Sequence, residues 1–407
     1  MVKISGFWGC TPAIPAGPFR SLFTGPMPTF SPPQSCEELL AQMVSFETVN
    51  PDFGGPAGGE ARLAALLEHL ARQWGLQTRR CPVGNAGAFN LLITTEVSPA
   101  AEWLLLESHL DTVSVDGMTV PPFELTITGD KLHGRGTCDT KGSGAAMLWA
   151  LQAFARAPGR TRNAGVIFSV DEEAGMDGAQ AFAARELREF PRLRGIVVGE
   201  PTGLRPVIAH NGALRWRSIT RGVAAHSADP TKGRSALTAM LRVIEALETK
   251  FIPLAKRDSP LTGRAAASIN VIRGGTAVNI IPDYCEIGCD RRLVPGETAA
   301  QVLAERDAAL AGLAVEHDSQ YLAPPLPPEN SATLHAWLQP ALVAQGIDPA
   351  ARGAPYATNA SHYAAGGAQV LVLGPGDLAQ AHTKDEWLDR RELARASALY
   401  GAMLRLP

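Results

Sequence analysis

The chain has 407 residues, 45% hydrophobic and 19% charged, which is enough for two ordinary globular domains with a sizeable core. Acidic and basic side chains are interspersed and leave a formal net charge of −3, so no basic stripe marks nucleic-acid binding and no polybasic run marks a membrane surface. No apolar run approaches the roughly 18 residues of a membrane-spanning helix.

The first residues, 1–34, read as a poorly ordered extension. Pro12, Pro15, Pro18, Pro26, Pro28, Pro32 and Pro33 break every apolar stretch too early for the core of a signal peptide. Regular patterning begins at Ser35. Cys36 to Ser45 reads as a helix with Ser35 as N-cap. Glu60 to Trp74 has helical spacing through Leu63, Leu66, Leu67, Leu70 and Trp74. Asn90 to Thr95 and Trp103 to Glu107 read as strands, Gly142 to Phe154 as a helix, and Val166 to Val170 and Ile196 to Val198 as buried strands. Such alternation predicts an α/β layer with a largely parallel sheet.

The pattern changes after Gly212. Leu214 to Thr220, Ala267 to Ile272, Tyr284 to Cys289 and Leu313 to His317 read as strands, with helices at Ala236 to Glu248 and Thr298 to Leu310. This βαββαβ order predicts a ferredoxin-like unit. The proline-rich stretch Leu322 to Pro328 follows, and then helix–strand alternation resumes. The expected organisation is one α/β domain, 35–210 and 322–407, interrupted by an inserted domain at 211–321.

Six scattered cysteines (Cys10, Cys36, Cys81, Cys138, Cys285 and Cys289) make neither a disulfide framework nor a C-x-x-C metal site. Cys285 and Cys289 lie four apart on one strand face and read as small buried hydrophobes. A reducing, cytoplasmic setting is expected.

Chemistry-bearing residues fall at strand ends, where α/β proteins bind ligands. L-L-L-E-S-H-L-D-T-V gives His109 and Asp111, whose side chains share a face; a metal-binding histidine donates its other N–H to such a carboxylate. G-R-G-T-C-D-T-K-G gives Asp139 before a helix. G-V-I-F-S-V-D-E-E gives Asp171, Glu172 and Glu173, and V-V-G-E-P-T gives Glu200. His382 stands in Q-A-H-T-K-D-E-W. Singly, each has a plainer reading: a structural histidine, a turn aspartate, a solvated acidic face. Jointly, acids directly after buried strands are costly without a positive partner.

Together with G-V-A-A-H-S-A-D-P-T-K-G, V-N-I-I-P and H-T-K-D-E, these motifs resemble the M20 metallopeptidase family from about Ser35 to the C-terminus. The resemblance implies two divalent ions, usually zinc, with cobalt or manganese accepted. It implies His109 and Glu200 as terminal ligands, Asp139 as the bridge, and Glu173 and His382 completing the second site. Glu172 is then the general base, with Asp111 supporting His109. The inserted domain is expected to mediate homodimerisation and to close over the substrate. His226 is expected to reach the partner's site and stabilise the oxyanion. Asn279 and Arg292 correspond to substrate contacts, Arg292 as a fork for a carboxylate.

Near the C-terminus, Y-A-T-N-A-S places Thr358 and Asn359 where the family often has Gly-Thr-Asp or Gly-Thr-Glu. Thr358 and Asn359 are expected near the substrate. A neutral amide attracts a cationic substrate amine less than an acid does, which counts against ornithine-like side chains. The expected activity is hydrolysis of an N-acyl amino acid amide in the manner of acetylornithine deacetylases, with desuccinylases and dipeptidases of the same family as alternatives. A non-catalytic amino-acid-binding relative would have lost a ligand or the base, and none is missing.

Overall fold

A computed structural model describes residues 31–84 and 87–407, with the side chains of Ser319 and Gln320 left aside. The extension expected at the N-terminus lies outside the described residues up to position 30. The described chain forms two compact units, one of Ala209–Pro328 with Gly353–Ala357, the other of 31–208, 329–352 and 358–407. Among the described residues no helix is long and apolar enough to cross a membrane.

The larger unit is built on a mixed sheet. Six of its eight strands run in the order Gln77–Val83, Ala88–Thr95, Asn163–Ser169, Trp103–His109, Leu193–Val198 and Val370–Val372, and Val207–His210 and Arg352–Ala354 follow at the far edge. The last four of the six are mutually parallel and the first two join antiparallel. The expected largely parallel sheet is therefore parallel only at its centre. Leu104, Leu105, Leu106, Val166, Phe168, Ile196 and Val197 are fully buried, as central strands covered on both faces require. Helices Cys36–Val44, Lys141–Arg156, Ala332–Ala344 and Arg390–Leu404 contribute to the same core. Each fully buried leucine there is worth roughly 1.5–3 kcal/mol. Ser35 caps the first helix by accepting the Glu38 N–H.

The smaller unit carries a fully antiparallel sheet in the order Ala266–Gly274, Tyr284–Leu293, Gly212–Arg221, Glu316–Ala323. Helices Ala236–Ala246 and Ala299–Ala309 contribute to its core with Leu214, Trp216, Ile287 and Leu293. Thr298 and Gln301 form a capping box at the second helix. Cys285 and Cys289 are buried in this core as free thiols. The last strand lies later than the expected Leu313 to His317 and takes in Leu322 and Ala323 of the proline-rich stretch.

Candidate metal centre

Three parallel strands end side by side. His109 closes its strand in register with Ser169, and Glu107 is in register with Val198. Asp171, Glu172 and Glu173 therefore leave the sheet beside His109 on one flank, and Glu200 leaves it on the other. Val372 pairs with Val198, so the chain leading to His382 starts from the same end. Asp139 precedes the helix Lys141–Arg156, whose N-terminus favours a carboxylate. The turn after Ser169 is tight. Asp171 lies in the left-handed region (φ 65°), and a Cβ on Gly175 would come within 2.3 Å of its Oδ2. Glycine is the residue that fits there.

The potential ligands form two overlapping groups, His109–Asp139–Glu200 and Asp139–Glu173–His382, each with its donor atoms within 4.8 Å of one another. His109 Nε2 lies 3.0 Å from Asp139 Oδ1, and His382 Nε2 lies 3.0 Å from Glu173 Oε2 and 3.4 Å from Asp139 Oδ2. Burial pushes Glu172 well above the ordinary carboxyl range. Burial and then the charge of Asp139 push Glu173 up to about 7, while burial and then Glu172 raise Glu200 strongly. Asp139 goes the other way: burial opposes it, but hydrogen bonds from His109 and His382 hold it below its usual value. Those bonds to Asp139 and Glu173 in turn raise His382 to about 11. Three carboxyls driven toward protonation beside two imidazoles are short of positive charge. Two nitrogen and three carboxylate donors suit borderline divalent ions, and Glu173 Oε1 is buried without a hydrogen-bond partner. The residues present fit a two-metal centre.

Asp111 is fully buried and works mainly on the backbone. It accepts the Glu172 and Glu173 N–H groups at 3.0 and 3.1 Å and an Asn50 Nδ2 hydrogen at 2.9 Å. His109 Nδ1 consequently lies nearer the Asp111 main-chain oxygen, at 3.0 Å, than its carboxylate, at 3.5 Å. Asn50 also donates to Asp171 at 3.0 Å, tying the two acids together. No motif pointed to Asn50. Glu107, 1% exposed, accepts from Ser169 and Asn359 beneath the centre. Its signal was present as a lone charge inside the apolar run L-L-L-E-S.

Asn359 is fully buried, with Nδ2 donating to Glu107 at 2.9 Å and to Ser169 at 3.1 Å. Thr358 is buried beside it and accepts the Ala360 N–H on its hydroxyl. His226, Asn279 and Arg292 belong to the smaller unit. His226 pairs with Ile280 on a two-stranded ribbon, next to Asn279, and both are exposed. Its Nδ1 accepts the Ala228 N–H at 3.1 Å, which leaves the proton of a neutral ring on Nε2. Arg292 is half-buried and donates to Asp290 at 2.8 Å. Arg291 is buried and paired with Glu297.

The chain is similar over most of its length to known proteins. It is 31% identical to an acetylornithine deacetylase of Edwardsiella ictaluri over 360 residues, covering 86% of this chain and 92% of that protein. An acetylornithine deacetylase of Proteus mirabilis is 32% identical over 384 residues, covering 90% and 95%. Among solved structures, an M20 family metallo-carboxypeptidase of Sulfolobus solfataricus shares the fold with a TM-score of 0.76 at 16% identity, covering 92% and 99%. A dinuclear metal binding peptidase of the M20 family from Bacillus subtilis matches with a TM-score of 0.63 at 14% identity, covering 91% and 96%. Residues 105–406, which contain every ligand of the two overlapping groups, match peptidase family M20/M25/M40, and the chain belongs to that family.

Proposed function

We propose that the protein is a dinuclear-metal amidohydrolase that cleaves the amide bond of an N-acyl amino acid, giving a carboxylate and a free amine. The observation that carries this reading is the pair of ligand groups sharing Asp139, with Glu172 set among them. Similarity to two acetylornithine deacetylases makes N-acetyl amino acids the first substrates to try.

His109 and Glu200 would hold one ion, Glu173 and His382 the other, and Asp139 both. Zinc suits this donor set best, with cobalt and manganese as substitutes. When bound, the ions supply Lewis acidity toward the scissile carbonyl and make water more acidic. Glu172 then takes a proton from the attacking water and delivers it to the leaving amine. Asp111 keeps Glu172 aimed by holding its backbone. His226, with its proton on Nε2, supplies a donor for the developing oxyanion from the partner subunit. Arg292 receives the substrate carboxylate, and Asn279 lies beside His226.

Homodimerisation is supported by the edge strand Ala266–Gly274, which exposes Ile272 at 56%, and by Val278 and Leu241, exposed at 104% and 64%. The five described cysteines are free thiols, which fits a reducing cytoplasm.

The test is amine release by zinc- or cobalt-loaded protein from acetylornithine, succinyl-diaminopimelate, neutral N-acetyl amino acids and dipeptides, with Glu172→Ala as control. Turnover that vanishes in the variant supports the reading. Absence of turnover on every substrate, with both metals bound, would sink it in favour of a binding protein.

A further inference from the structure

A further buried carboxylate lies outside the ligand set. Glu386 is fully buried and accepts four hydrogen bonds. Its Oε1 takes the N–H groups of Cys138 and Asp139 at 2.7 and 2.9 Å, and its Oε2 takes the Gly136 N–H at 2.9 Å and Arg135 Nη1 at 2.7 Å. Gly136 adopts φ 85°, and a Cβ there would crowd Lys141 and Thr112. The G-R-G-T-C-D turn thus forms a nest of backbone donors, and Glu386 fills it as its anion. Arg135, only 2% exposed, extends the grip. It donates through Nε and Nη2 to Ser114 O at 3.1 and 2.8 Å, and through Nη2 to Thr383 O at 3.2 Å. Thr383 is the neighbour of His382, and Glu386 lies four residues further on.

We propose that Glu386 is a positioning residue for the metal centre, locking the loop that carries Asp139 to the loop that carries His382. The inference rests on the dinuclear reading above and adds a residue to it. The two loops meet in sequence nowhere, and Asp139 serves both ion positions. The Gly134 N–H bond to the Glu386 main-chain oxygen and the pairing of Trp387–Asp389 with Lys131–His133 bring the two segments together, and the Glu386 carboxylate with its arginine fixes the Asp139 turn against them. Glutamine is nearly the same shape but fails chemically. In either orientation its NH₂ faces two donors, the Cys138 and Asp139 N–H groups or the Gly136 N–H with Arg135.

The experiment is a zinc and cobalt titration of wild type, Glu386→Gln and Asp385→Asn, read by affinity, stoichiometry and the visible spectrum of the cobalt form. Asp385 holds the same loop by accepting from Thr119 but does not touch the Asp139 turn. Glu386→Gln is expected to bind metal about 10–100-fold more weakly with a changed cobalt spectrum, the usual cost of losing a group that orients a ligand. Asp385→Asn is expected to keep wild-type affinity and spectrum. A folded Glu386→Gln with wild-type affinity and spectrum overturns the proposal, as does an equal loss in Asp385→Asn. If Glu386→Gln does not fold, Arg135→Lys decides: weakened binding supports the clamp, and unchanged binding overturns it. A wild type that binds no metal would remove the dinuclear reading itself, a result distinct from any of these.

Discussion

Asp111 holds Glu172 by its backbone, with Oδ1 accepting the Glu172 N–H at 3.0 Å, while Oδ2 takes the next N–H, that of Glu173. One buried carboxylate thereby fixes the start of two side chains with separate duties. Glu172→Gln should keep this backbone geometry and the metal content, and lose only the proton transfer. Activity is expected to fall about 10²–10⁴-fold. Metal analysis and rate on one preparation check it; retained activity would remove Glu172 as base.

If His226 acts across a dimer interface, Glu172→Ala and His226→Ala proteins are each inactive for a different reason. Mixing them under subunit exchange creates one site with both groups intact. Part of the activity should return. Exchange proven by mass labels, with no recovery, would place His226 in its own subunit's chemistry or outside the reaction.

His362 is 8% exposed, its Nε2 is buried without a partner, and burial lowers its pKa to about 4. Its unfolded value is about 6.5. Between those values the unfolded chain takes up a proton that the fold refuses, so stability is complete above about 6.5 and is lost as pH falls toward 4. The loss amounts to about 3 kcal/mol. His362→Gln should flatten this acid limb in urea unfolding at pH 4, 5.5 and 7.5. An unchanged slope relative to wild type counts against it.

Asn359→Asp would set a second carboxyl against Glu107, where Nδ2 now donates at 2.9 Å. One carboxyl of the pair must then keep a proton in the folded state that the unfolded chain releases. The variant should lose about 1–3 kcal/mol. The deficit should grow as pH rises, since the fold then binds more protons than the unfolded chain. Thermal unfolding at pH 5 and pH 8 measures both; a melting temperature equal to wild type at pH 8 would contradict the packing described for Asn359.

Much of the architecture was legible because buried central strands read as unbroken apolar runs, and the polar residue that ends each run is conspicuous. His109, Glu173 and Glu200 stood out for that reason, and the two groups of donor atoms contain all three. Gln77–Val83 was missed because an edge strand tolerates Arg79, Arg80 and Pro82. Its absence from the reading hid the antiparallel hairpin and made the sheet seem largely parallel. The strand Glu316–Ala323 was misplaced because its outward positions are charged. Glu316 and Asp318 pair with Arg221 and Arg217, and a register shift between Asp318 and Tyr321 breaks the two-residue period. The roles of Asn50 and of Arg135, which stands in the G-R-G-T-C-D motif, were hidden for another reason. Their roles come from partners far away in the chain, and no local pattern encodes such contacts.

The centre draws its donors from residue 109 through residue 382, with the whole smaller unit encoded between Glu200 and His382. During synthesis the first four donors leave the ribosome long before the fifth. A nascent chain therefore carries Asp139, Glu173 and Glu200 through the whole synthesis of the smaller unit, with neither His382 nor the Glu386 anchor available. The group His109–Asp139–Glu200 is encoded by residue 200, whereas Asp139–Glu173–His382 waits for residue 382, so a product truncated before His382 would keep the first group and lack the second.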